Sequence, residues 1–283
     1  MLVIAGTASQ RLSHAIAAGL HAPLARTEIK RFPDGECYVR ILDPLKGEVA
    51  LVVQNSYPDH NIIELFLLQD AARRAGAGRI ITLIPYFGYA RQDKLFLPGQ
   101  AVSALALARH IEMDADAIIT VDIHNPETMA AFSKPAVNAS AMPAVGQFLR
   151  GKVDLLLSPD KGSVERVRLA AEIAGLPFDH LEKTRTDPST VQIAPKKLDV
   201  AGKRVGVVDD VIATGGTMIK AAEHLRAQGA SQICAACTHG LFSSGALERL
   251  RSAFDAVYAC DTIETEASVI SAAQPLVRYI REI

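Results

Sequence analysis

A chain of 283 residues, 49% of them hydrophobic, with 30 Lys and Arg against 31 Asp and Glu, can build two domains with ample cores. A net charge of −1 gives no basis for binding nucleic acid or a membrane surface, and the apolar runs are strand-sized, so no spanning helix is expected. With no basic leader ahead of a cleavable apolar segment, and four cysteines that fit a reducing compartment, a cytoplasmic protein is expected.

Residues 2–6 (LVIAG) read as a short apolar strand and Gln10–Leu20 as an amphipathic helix, which opens the chain as an α/β protein. In residues 28–40 (EIKRFPDGECYVR), Pro33 and Gly35 turn the chain between two β-leaning segments. Phe32, Asp34 and Glu36 are thereby grouped at a hairpin tip. A buried strand is expected at 49–53, a helix at 62–75, and another strand at Arg79–Ile84. After it come aromatics and a charge cluster that includes Arg91, Gln92, Asp93 and Lys94, at the strand end where open α/β sheets bind ligands. A helix at 100–111 and a strand at Ala117–Val121 lead to Asp122 and His124. Two residues apart on a strand, these would face the same way and converge on one metal or phosphate.

The segment 146–152 (GQFLRGK) nearly spells a P-loop, but Val153 stands where Ser or Thr is needed and no strand precedes it. A domain boundary falls near here, giving expected domains 1–145 and 146–283. Strand 153–157 delivers Ser158, Pro159 and Asp160, and helix Val164–Ala174 follows. Lys183 and Arg185 share a face if their segment is extended. Beyond them, 186–197 is polar, broken by Pro188 and Pro195, and reads as a flap.

Residues 205–217 (VGVVDDVIATGGT) pass from an apolar run through two carboxylates, Asp209 and Asp210, into a small-residue loop. A helix with the apolar stripe Met218, Ala221, Ala222 and Leu225 follows, closed by Gly229. Glycines at a helix start let a ligand approach backbone N–H groups, and this suits an anion; acids upstream would repel a polyphosphate but accept bonds from hydroxyls. The economical ligand is a sugar phosphate. Cys234 and Cys237 resemble a C-x-x-C, yet they lie in a strand, where odd spacing sends their side chains to opposite faces. The order strand, loop, helix, Gly-Ala corner, strand occurs twice, with corner glycines Gly76 and Gly229 about half the chain apart. That period points to a duplicated domain, and the first copy's loop (QNSYPDHN) lacks the acids and glycines.

The loop resembles the phosphoribosyl-binding loop of type I phosphoribosyltransferases. Together with Phe32–Glu36, residues 91–94, 122–124, and 158–162 with 183–185, it resembles the ribose-phosphate diphosphokinases, in their shorter archaeal-type branch. That resemblance implies an α/β fold of two phosphoribosyltransferase-like domains, each a mostly parallel sheet flanked by helices. It implies ATP binding by Phe32, Asp34, Gly35, Glu36, Arg91 and Gln92, Mg²⁺ at His124 and Asp160, and catalysis by Lys183 with Arg185. Ribose 5-phosphate would be held by Arg185, Asp209, Asp210, Ala213, Thr214, Gly215, Gly216 and Thr217. It further implies a homo-oligomer whose ATP sites are shared between subunits. The sequence departs from the family pattern at Ala213, where many members carry a third acid, and at Asn125-Pro126. A phosphoribosyltransferase uses the same loop but needs no ATP hairpin. A non-catalytic regulatory homologue would have lost the lysine or a metal residue, and this chain keeps them.

Overall fold

The computed structural model describes residues 1–181, 183–185, 191–193 and 199–283, with backbone alone for 183–185 and 191–193. Most of the expected 186–197 flap therefore lies outside the described residues. The first elements are β1 (Leu2–Ala5), α1 (Gln10–Leu20), β2 (Thr27–Arg31), β3 (Cys37–Ile41), β4 (Val49–Val53), α2 (His60–Arg74) and β5 (Arg79–Ile84). Then come α3 (Ser103–Ile111), β6 (Ala117–Val121), β7 (Ala136–Ala139), α4 (Met142–Leu149), β8 (Leu155–Ser158) and α5 (Val164–Ala174). The run β9 (Phe178–His180), β10 (Lys183–Arg185), β11 (Val191–Ile193), β12 (Arg204–Ile212) and α6 (Gly216–Ala227) follows. The chain closes with β13 (Gln232–Gly240), α7 (Ala246–Ala253), β14 (Ala256–Cys260), β15 (Ser268–Ile270) and α8 (Ala273–Glu282).

These elements form two compact units. Met1–Ser140, Thr262–Glu264 and Ala272–Ile283 make the first, and its sheet has the order β1-β4-β5-β6-β7, parallel throughout. Parallel strands covered on both faces are apolar without alternation, as β4 (VALVV) and β6 (AIITV) are. Ile4, Val52, Leu65, Ile80 and Ile118 meet in its core. α8 joins this unit by packing on α1, where Gly19 lets Val277 come close and accepts a hydrogen bond from Arg281 at its carbonyl, 3.1 Å.

The second unit holds Ala141–Asp261 and Thr265–Ser271, with the parallel order β15-β14-β13-β12-β8-β9. The expected stripe of α6 is buried as Met218, Ala221, Ala222 and Leu225, against Val207, Ile233 and Leu250. Full burial of a side chain such as Leu225 contributes about 2 kcal/mol relative to exposure. The fold is the expected one: two α/β halves with mostly parallel sheets flanked by helices. Cys234 and Cys237 lie on β13 as free, buried thiols, and burial raises both, Cys234 to about 12, which leaves them unreactive. No helix among the described residues is long and apolar enough to cross a membrane.

Candidate active site

In the second unit, β12 runs through both acids to Ile212, and the chain then turns over residues 213–215 into α6. Gly215, at φ 76, adopts the left-handed conformation that glycine reaches without strain. Among the described residues, no side chain caps α6, which leaves the first N–H groups of this 12-residue helix open beside the loop. Among the described residues, a Cβ on Gly216 would meet open space, so the backbone there is open to an approaching ligand.

The two acids are held differently. Asp209 Oδ1 accepts from Ser163 Oγ at 2.5 Å and from the N–H of Asp210 at 2.9 Å. Asp210 is 2% exposed and pairs with Arg166 of α5 at 3.3 Å. Burial, followed by the charge of Asp210, pushes the Asp209 carboxyl well above the ordinary range; Asp160 adds to the push and the Ser163 hydroxyl opposes it. Asp160 sits one strand away at the end of β8, where its Oδ1 caps the turn into α5 by accepting from Gly162 N at 2.9 Å and Ser163 N at 3.3 Å. The second unit thus gathers Asp160, Asp209, Asp210 and the 213–217 loop at the carboxyl ends of its strands. Ser163 and Arg166 escape a reading of the sequence, because a helical Arg in VERVR carries no mark that separates it from a solvated one. Lys183 and Arg185 lie on β10, paired antiparallel with β11 so that Lys183 faces Ile193 and Arg185 faces Val191 across the ladder.

In the first unit the hairpin forms as expected. β2 and β3 pair antiparallel around a tip in which Phe32 and Glu36 are joined by Phe32 N to Glu36 O at 2.9 Å, with Gly35 at φ 91. Asp34 Oδ1 accepts from Glu36 N at 3.1 Å, and Phe32, 44% exposed, meets the edge of Tyr38. Arg91 is exposed, while Gln92 donates to Ala101 O at 3.4 Å. Among the described residues, no hydrogen bond or ring contact joins the tip to Arg91 or Gln92. The structure does link residues 91–94 to the His124 segment: Asn125 Nδ2 donates to Asp93 Oδ2 at 2.6 Å.

Asp122 and His124, just past the end of β6, differ in burial. β6 ends at Val121, and Asp122 takes φ 38, so the strand alternation stops before the pair. Asp122 turns inward, 3% exposed, to accept from Ser140 Oγ at 2.8 Å, whereas His124 is exposed. Between β4 and α2, where the second unit has its cradle, the first unit fills the space with its own amides. Buried Gln54 donates to Glu64 Oε1 at 2.8 Å and Asn55 to Thr262 O at 2.9 Å. That leaves no counterpart of the glycine loop there.

Sequence profiles of two families match: the N-terminal domain of ribose phosphate pyrophosphokinase over residues 1–114, and the phosphoribosyl transferase domain over 133–275. The chain is 42% identical to a ribose-phosphate pyrophosphokinase of Methanopyrus kandleri over 100% of this chain and 99% of that one. It is 44% identical to that of Pyrococcus furiosus over 88% of this chain and 90% of that one. The crystal structure of phosphoribosylpyrophosphate synthetase from Mycobacterium smegmatis superposes with a TM-score of 0.84 at 28% identity, covering 99% of this chain and 97% of that one. The two-unit fold, the glycine cradle beside paired acids and these whole-length matches agree: the chain is an enzyme that belongs to the ribose-phosphate pyrophosphokinase family.

Proposed function

We propose that this protein transfers the β,γ-diphosphoryl group of ATP to O1 of ribose 5-phosphate, giving 5-phosphoribosyl 1-diphosphate and AMP for nucleotide synthesis in the cytoplasm. The observation that carries this is the Asp209–Asp210 pair at the end of β12, next to the uncapped start of α6. Carboxylates there accept from the ribose hydroxyls, while N–H groups of residues 213–217 hold the 5-phosphate. Residues 1–145 would bring ATP through Phe32, Asp34, Gly35, Glu36, Arg91 and Gln92, and residues 146–283 the sugar phosphate. The hairpin tip Phe32–Glu36 lies far in sequence from Lys183, and with the family membership this supports an ATP site completed by a second copy of the chain, hence a homo-oligomer.

Attack by O1 on the β-phosphorus needs alignment and neutralisation of charge more than covalent help. Lys183 and Arg185 would place positive charge where the moving group gains negative charge. The donor set fits Mg²⁺, which takes one or two carboxylates together with phosphate oxygens: Asp160 offers a carboxylate within an acidic cluster whose mutual repulsion a cation relieves. His124 and Asp160 would hold the ion, and the bound ion would screen the phosphate oxygens. Holding Asp160 by its cap, and Asp209 by Ser163, keeps both carboxylates oriented before substrate arrives.

The test is nucleotide chromatography of the purified protein with ATP, each of ribose 5-phosphate and Mg²⁺ being omitted in turn. AMP should form only when all are present. Formation of ADP in its place would overturn the proposal.

A further inference from the structure

We propose that Arg249 is a positioning residue for the phosphate loop, holding the Thr214–Gly215 peptide so that its N–H faces the sugar phosphate. This rests on the reading that residues 213–217 hold the 5-phosphate. Arg249 lies in the first turn of α7. Its Nη2 donates to the carbonyl of Thr214 at 3.1 Å and its Nη1 to that of Ser244 at 2.6 Å, so one planar guanidinium bridges two loops. In a trans peptide the C=O and the following N–H point to opposite sides. Fixing the Thr214 carbonyl against Arg249 therefore fixes the Gly215 N–H away from it, and that N–H has no acceptor among the described residues.

A tie is needed there because the peptide precedes a glycine at φ 76, the residue type with the lowest barrier to other conformations. A flipped peptide would aim its carbonyl at the phosphate and replace attraction with repulsion. Packing alone sets one side of the loop: a Cβ on Gly215 would come within 3.2 Å of Leu250, the next residue along α7. Ala213 has no polar side chain to bond the turn from within, as an acid at that position would. Among the described residues, the bond from Arg249 is the side-chain hydrogen bond that reaches residues 213–215. It also leaves a positive charge beside the cradle.

The experiment compares Arg249→Ala, Arg249→Lys and Gly216→Val with the parent enzyme, measuring KM for ribose 5-phosphate, KM for ATP, kcat and the melting temperature. Arg249→Ala should raise KM for ribose 5-phosphate about fivefold, the loss expected for an exposed charge-assisted contact, with KM for ATP, kcat and melting temperature unchanged. Arg249→Lys should behave like the alanine variant, since an ammonium keeps the charge and loses the fork. Gly216→Val, which fills the cradle itself, should raise the same KM further. A normal KM in Arg249→Ala beside a raised one in Gly216→Val would refute the role of Arg249 and leave the phosphate site standing. Full activity in Arg249→Lys would reduce the residue to its charge and refute positioning. A normal KM in Gly216→Val would overturn the reading of the loop itself, and a lowered melting temperature with all constants changed in Arg249→Ala would make the residue merely structural.

Discussion

Asp209 and Asp210 are neighbours on one strand, yet Asp209 takes a hydroxyl hydrogen bond from Ser163 at 2.5 Å while Asp210 is paired with the guanidinium of Arg166 at 3.3 Å. Charge is therefore stabilised on Asp210 and costly on Asp209. Accepting from two adjacent hydroxyls, the role proposed for the pair, needs both carboxyl groups fixed, and these partners fix them from α5 and the turn before it.

Replacing Arg166 by Met should remove the 3.3 Å ion pair of the Asp210 carboxylate, whose side chain is 4% exposed. Breaking a pair this enclosed destabilises by on the order of 3 kcal/mol. Urea unfolding should show that loss, and Arg166→Met combined with Asp210→Asn should recover much of it. An unchanged midpoint in the single variant would mean that the pair contributes nothing to stability.

The raised pKa of Asp209 has a consequence for pH. A folded-state pKa above the unfolded value means that the folded protein holds this proton more tightly. The associated stability is complete below the ordinary carboxylate range and is lost as pH rises through the raised value. In metal-free, substrate-free protein, Asp209→Asn should therefore raise the melting temperature at pH 8 and change it little at pH 4, while weakening retention of ribose 5-phosphate. A variant less stable than the parent at pH 8 would contradict the burial of charge.

Lys183→Ala should lower turnover by about a hundredfold or more, as loss of a charge that acts in the transition state does. Binding of ribose 5-phosphate, followed by equilibrium dialysis, should persist, because the sugar phosphate is assigned to residues 209–217. Near-normal turnover would remove Lys183 from the mechanism.

Much of this site is legible in the sequence because short-range rules govern it. Pro33 and Gly35 dictate the hairpin tip, and the helix stripe from Met218 to Leu225 with glycines before it dictates the cradle. What escapes depends on longer-range geometry. Alternation along β6 says nothing of the φ 38 at Asp122 that sends it inward and leaves His124 outside. Arg166 and Arg249 look like solvated helix charges until α5 and α7 are placed against the loop. Nor does chain order reveal that α8 closes on Gly19 of α1.

Diphosphoryl transfer can be followed with ATP labelled separately at the β and γ positions. With ribose 5-phosphate and Mg²⁺ present and no nucleobase, both labels should move together onto the sugar, with unlabelled AMP in equal amount. Transfer of the γ label alone with ADP left behind, or ATP left intact until a base and phosphoribosyl diphosphate are supplied, would contradict it.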